Sequence, residues 1–364
     1  MRNISTKISL GGVIAASLAL SASFAQAEEI KVYNWAEYIG ETTIDDFEKE
    51  TGIKVIYDTY DSVETVDAKL LAGKTGYDVV DHSASSSEKL IKAGILMEID
   101  RSKISNYGNI RPDILKLMEQ WDPGNKHLVP YMWGTNGVTY VPELVEAVLP
   151  NAPKNFDLIF KKENMEKLSQ CGVAFLDSPD DILPMALGYM GLDPNSTSKG
   201  DYEKAGEMLD GVRPYIKTFD NYAYQRLAEK EFCVMVTWGP DGLLAQSLAE
   251  ESGVEFSTDF FTHPGASALW VDSWVIPSDA PNPEAAHRWI DFMNRPQIAA
   301  DATNFTWYAN ANKASTELVD SEVTSSKAAY PPEGEVATMY TLKTLPQKVN
   351  RVKTRVWTKF KAAN

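Results

Sequence analysis

The chain has 364 residues, 51 acidic and 35 basic, for a formal charge of −16 at pH 7. Such a field disfavours nucleic acid and anionic lipid as partners and suits a cationic ligand, although acidity also serves simply to keep a protein soluble. No stretch reaches the roughly 18 uninterrupted apolar residues a membrane-spanning helix needs, and the length calls for two lobes rather than one core.

The first 27 residues read as an export signal: Arg2 and Lys7 precede an apolar stretch over 8–20, and Ala25-Gln26-Ala27 supplies a small-x-small cleavage site. The mature chain is therefore expected to start near Glu28, in the periplasm. In that oxidising setting Cys171 and Cys233 are expected to form one disulfide closing a long loop, the alternative being two buried free thiols. Their spacing fits no zinc motif, and His82, His127, His263 and His287 are scattered, so neither metal nor cofactor is expected.

In chain order, 30–33 alternates as a strand, 42–51 reads as a helix stopped by Gly52, and 53–57 is a second strand. A helix over 66–72 and a strand over 77–81 complete a β-α-β-α-β run, hence a mostly parallel sheet with helices on its faces. Ligands of such sheets sit beyond the carboxyl ends of the strands, which directs attention to 35–38 and 81–87. The pattern recurs with a strand over 173–177, a helix opening at Pro179, and a strand over 232–237 that ends at Trp238-Gly239-Pro240-Asp241. Residues 128–134 read as a crossing between lobes and 268–276 as a strand returning to the first, two crossings that make a hinge.

At Asn34-Trp35-Ala36-Glu37-Tyr38-Ile39 the sequence starts to resemble the periplasmic spermidine/putrescine-binding proteins of ABC importers. The likeness continues through Tyr60-Asp61-Ser62, Lys69-Leu70-Leu71-Ala72-Gly73, Tyr77-Asp78-Val79-Val80 and Pro130-Tyr131-Met132-Trp133-Gly134. It extends to Cys171-Gly172-Val173-Ala174-Phe175-Leu176-Asp177, Trp270-Val271-Asp272-Ser273, Tyr308-Ala309-Asn310-Ala311-Asn312-Lys313 and Arg355-Val356-Trp357-Thr358-Lys359. The last-but-one string and the paired cysteines look most like the putrescine branch, in which those cysteines form a disulfide.

The resemblance implies a type II periplasmic-binding fold, two α/β lobes closing over a ligand. It divides the chain into a first lobe of 28–133 and about 262–300, and a second of 134–261 and about 301–364. It implies a monomer that binds a small cationic polyamine and hands it to an ABC-transporter permease in the inner membrane, without catalysis. The implied ligand-binding residues are Trp35, Ala36, Glu37, Tyr38, Ser83, Asp181, Trp238, Asp241, Trp270, Asp272 and Tyr308.

Those side chains suit a polyamine on chemical grounds. An ammonium leaves water only if carboxylates and other acceptors replace its hydration shell, and its polymethylene stem needs apolar walls. Flat aromatic rings supply both wall and cation-π attraction. Each also has a plainer explanation. Asp181 follows Ser178 by three residues and would complete a capping box; Asp241 sits in a Gly-Pro-Asp-Gly turn ahead of a helix; Trp35 and Trp270 would serve as core residues; Glu37 and Tyr38 would form an ordinary exposed turn. Asp272 is harder to explain structurally, because 269–276 reads as a buried strand that excludes an unpaired charge.

The chain departs from the family where Val-Pro-Ser usually continues the third strand: here stand Asp81-His82-Ser83-Ala84-Ser85-Ser86. Ser85 and Glu88 are expected to form a capping box, while Asp81 and His82 are expected to reshape the cleft wall. Ala36-Glu37 and the Trp270-Val271-Asp272 string look like the spermidine branch or depart from the putrescine branch, whereas Asp241 looks like the putrescine branch. Ligands kept open are therefore putrescine, spermidine, agmatine, cadaverine and glutamylated polyamines. An exported hydrolase built on Asp81, His82 and Ser83 or Ser85 is the distant alternative, weakened by the absence of a Gly-x-Ser-x-Gly elbow. Residues 343–361 read as a helix with one packed and one basic solvated face.

Overall fold

Strands β1 (Glu29–Trp35), β2 (Lys54–Tyr60) and β3 (Val79–Ser83) form the parallel heart of a six-stranded sheet in the computed structural model, which describes residues 28–363. The expected export signal lies outside the described residues. β10 (Leu269–Val275) inserts antiparallel between β3 and β4 (Val129–Thr135), and β11 (Ala309–Asn310) closes the far edge, giving the order β11-β4-β10-β3-β1-β2. A second sheet has the order β7-β6-β8-β5-β9, from β5 (Gly137–Tyr140), β6 (Val173–Phe175), β7 (Thr218–Phe219), β8 (Val234–Thr237) and β9 (Asp259–Phe261). Here β6 runs parallel to β7 and β8, while β5 is antiparallel to β8 and β9. The two sheets carry separate cores, one around Phe47, Trp274 and Trp289, the other around Phe156, Phe175, Tyr202 and Phe360.

The chain passes between the sheets at Asn136, between β9 and β10, and again before the C-terminal helix Gln347–Ala362. Asn136 ties two of these passages together: its Oδ1 accepts from the Ala268 amide at 2.6 Å. The last helix packs Val349, Trp357 and Phe360 onto the second core, as its apolar spacing requires.

Several boundaries differ from the sequence expectation for identifiable reasons. β1 continues past the expected break to Trp35, since β2 pairs with it over its whole length, from Glu29↔Lys54 to Trp35↔Tyr60. The helix expected over 66–72 begins at Val63, because Ser62 caps it by accepting from the Thr65 amide. The helix after β3 starts at Ala84 with Ser83 at the N-cap, so Ser85 lies inside it and the expected Ser85/Glu88 box does not form; Glu88 instead pairs with Lys92. Residues expected to enter the second lobe from about 301 stay on the first sheet, where Ala302, Ala309 and Ala311 join its core and β11 pairs with β4.

Cys171 and Cys233 are bonded, 62 residues apart, pinning the loop before β6 to the start of β8. A loop of that length restricts the unfolded chain substantially. Replacing both by serine is expected to lower unfolding free energy by about 2 to 4 kcal/mol in denaturant titration, without moving the far sheet. A loss below about 1 kcal/mol would mean that the bridge adds little to stability.

Candidate functional site

A cleft of about 560 Å³ opens where the two lobes face each other, and all eleven candidate residues line it. The turn after β1 brings Trp35, Ala36, Glu37 and Tyr38; the end of β3 brings Ser83; β10 brings Trp270 and Asp272; the residue before β11 is Tyr308. The opposite wall carries Asp181 from the helix Pro179–Tyr189, Trp238 just after β8, and Asp241 at the start of the helix Asp241–Glu251.

Local geometry aims each group. Buried Asn34 staples the first turn, accepting from the Trp35 amide at 2.8 Å and donating to the Tyr38 carbonyl at 3.2 Å and the Tyr57 hydroxyl at 2.9 Å. Glu37 takes the left-handed conformation, φ 55°, which is uncommon for a residue with a side chain. Asp272 stands where the β10–β4 register slips between Val271 and Ser273, a bulge that leaves it unpaired on the β4 side while it stays opposite Ser83 of β3. Trp270 lies flat against β4 because its partner there is Gly134; a Cβ at that position would come within 2.5 Å of the indole. Tyr308 meets Tyr38 and Trp270 edge to face, with ring centroids 5.5 and 5.6 Å apart, and forms the aromatic wall.

The carboxylates are met by neutral donors. Asp272, 8% exposed, accepts from the Tyr38 hydroxyl at 3.1 Å. Asp241, 5% exposed, accepts from Thr237 and Tyr308. Asp181 accepts from Asn136 Nδ2 and Trp238 Nε1, both at 3.0 Å, while Ser178 caps its amide; half of the expected capping box forms, and the carboxylate turns to the cleft instead of completing it. Burial pushes the Asp272 carboxyl up to about 7, with the Tyr38 bond opposing and Asp181 adding to the rise. Burial likewise raises Asp181 and Asp241, partly offset by their hydrogen bonds. No lysine, arginine or histidine lines the cleft among the described residues. Lys353 and Lys361 of the last helix stand behind the rim, pairing with Asp180 and Asp177.

Two expectations fail here. His82 does not shape the cleft wall: β3 turns it to the other side, where the ring is 2.8 Å from Ser87 Oγ and 3.2 Å from Asp67 Oδ1, and Lys89 pairs with Asp67. This Ser-His-Asp chain is buried and none of its members lines the cleft, so it offers no nucleophile to a substrate. Asp81 is also absent from the wall and lies beneath it.

Other contributors were not anticipated. Tyr224 donates to Glu37 across the cleft, reciprocating Tyr308 to Asp241, so each lobe offers a tyrosine to a carboxylate of the other. Nearby, Asn221 Nδ2 reaches the Asp61 carbonyl at 3.4 Å. These residues follow β7, a two-residue strand too short to announce itself; recognising it would have marked 220–224 as another strand end.

The family model for bacterial extracellular solute-binding proteins matches residues 42–332. The putrescine-binding periplasmic protein PotF of Escherichia coli is 41% identical over 360 residues, 97% of each chain. A putrescine/agmatine-binding protein of Pseudomonas aeruginosa is 40% identical over 98% of each chain. Among solved structures, a putative spermidine/putrescine ABC transporter protein of Listeria monocytogenes superposes with a TM-score of 0.82 at 28% identity, covering 93% of this chain and all of the other. The matched family is one of solute-binding proteins rather than enzymes, and the Listeria monocytogenes structure shares the two-lobed fold.

The reciprocal tyrosines are expected to hold the lobes together. Each bond contributes about 1 kcal/mol, so removing both in a Tyr224→Phe/Tyr308→Phe variant should favour separated lobes by roughly 30-fold. Small-angle scattering of the ligand-free variant should give a larger radius of gyration; an unchanged radius would rule out this role.

Proposed function

This chain belongs to the family of bacterial extracellular solute-binding proteins, and on that premise we propose that it captures a polyamine, putrescine or spermidine, between its lobes and delivers it to the permease of an ABC importer. The observation that carries this reading is a set of buried cleft carboxylates facing no cationic side chain. A bound ammonium would supply the missing positive charge, and the ring faces of Trp35, Trp238, Trp270 and Tyr308 would cover the methylene stem. The volume leaves room beyond a four-carbon diamine, which keeps spermidine in view. A glutamylated polyamine is disfavoured, since its own carboxylate would meet acidic neighbours and no basic partner.

Mutual repulsion among the cleft carboxylates opposes closure, and a bound polycation removes it while touching both lobes. Closure then marks the loaded protein for the permease. Export by residues 1–27 would place the chain in the periplasm, where it acts as a monomer.

Calorimetric titration of the refolded, ligand-stripped chain from Glu28 with putrescine, cadaverine, agmatine, spermidine and spermine tests this reading. Tight binding of at least one is expected, and no heat with any would refute it. Asp272→Asn should weaken the best ligand by at least about 2 kcal/mol, roughly 30-fold, because it leaves an ammonium underpaired in a dry site; unchanged affinity would remove Asp272 from the site.

The pH dependence follows from the raised Asp272 carboxyl. Above about 7 it is ionised and ready; below, it takes a proton that the ligand must displace. From Asp272 alone, affinity should therefore fall as pH drops from 8 to 6, by up to about tenfold per unit below 7. A flat profile over that range would contradict the assignment.

A further inference from the structure

Asp81 is wholly buried, and neither carboxyl oxygen has a hydrogen-bond partner among the described residues. It occupies β3 two residues before Ser83. In the β3–β10 register Ser83 faces Asp272 and Asp81 faces Trp274, so the pleat sets Asp81 diagonally beside Asp272 on one face, about 7 Å away. The titratable groups around it are Tyr38 from the turn after β1, Tyr57 and Tyr60 from β2, Tyr131 from β4, and Asp272 from β10. None of these carries a positive charge. His82, its neighbour in sequence, points to the opposite face. No structural bond accounts for an acid at a strand position that an apolar residue would fill without cost.

Burial without a partner on either oxygen favours the protonated form of this carboxyl: burial, and then the charge of Asp272, push it well above the usual range, with the adjacent His82 amide opposing. A cation docked on Asp272 reverses the second of those influences, because it neutralises the neighbouring charge and adds attraction of its own. We propose that Asp81 is a positioning residue acting through Asp272: its carboxyl ionises when a cation docks there, so that capture ejects a proton and sets a second negative charge behind the first. The O–H bond of Asp81 breaks, its electron pair stays on the carboxylate, and the proton passes to the buffer. The proposal rests on the polyamine reading and goes beyond it in assigning a residue outside the cleft wall.

The test is calorimetry at pH 8 in two buffers of different ionisation enthalpy, with putrescine and with spermidine, on the wild-type chain, Asp81→Asn and Asp81→Val. That pH lies above the raised value of about 7 for Asp272, so its carboxylate form prevails, and the ligand's own protonation cancels between variants. The wild type is expected to release more protons on binding than either variant, and to bind several-fold more tightly. The valine variant needs no buried partner and secures the fold if the amide does not. Binding with equal proton release in all three proteins overturns the role of Asp81 and leaves the polyamine reading standing. No binding of either amine by the wild type overturns both the role of Asp81 in their capture and the choice of putrescine or spermidine as ligand.

Discussion

Charge held out of water without a counter-charge is the constraint around which this molecule is arranged. Asp241 and Asp272 are at most 8% exposed, and their partners are hydroxyls rather than cations. Hydrogen bonds soften the cost of such burial without cancelling it, which is why burial still raises each carboxyl. A protein in this condition is less stable than one with apolar residues at the same places, and a cationic ligand recovers the difference.

The fold supplies the means of holding those groups still. A bulge leaves Asp272 unpaired on its β4 side, a glycine on β4 makes room for Trp270, and Asn34 fixes the turn that presents Glu37 and Tyr38. Asn136 sits at a passage between lobes and bonds both to Ala268 in another passage and to Asp181 in the cleft, so hinge and site share one side chain. Any movement of the lobes is therefore felt at a cleft carboxylate. The tyrosines exchanged between lobes complete the coupling, because each lobe caps an acid of the other.

Much of this was legible beforehand. Strand-helix alternation announced two α/β lobes, the rule that ligands gather beyond strand ends pointed to 35–38, all of which line the cleft, and to 81–87, of which Ser83, Ser85 and Ser86 do, while the family resemblance supplied the rest of the candidate set. What escaped depended on three-dimensional register. Alternation could not say that the bulge falls at Asp272, nor that β3 would turn His82 away while sinking Asp81 under the floor. The capping box at Ser85 and Glu88 was a sound local pattern, overridden when the helix began one residue after β3 ended. Tyr224 was hidden behind a two-residue strand, and Asn136 looked like any polar residue between two strands.

The most direct test of the account is a crystal structure of the chain from Glu28 grown with the polyamine it binds most tightly. The account predicts one ammonium nitrogen within hydrogen-bonding distance of Asp272, a second nitrogen directed to Asp181 or Asp241, and the methylene stem against Trp238, Trp270 and Tyr308. An amine bound away from Asp272, with that carboxylate still facing only Tyr38, would contradict it.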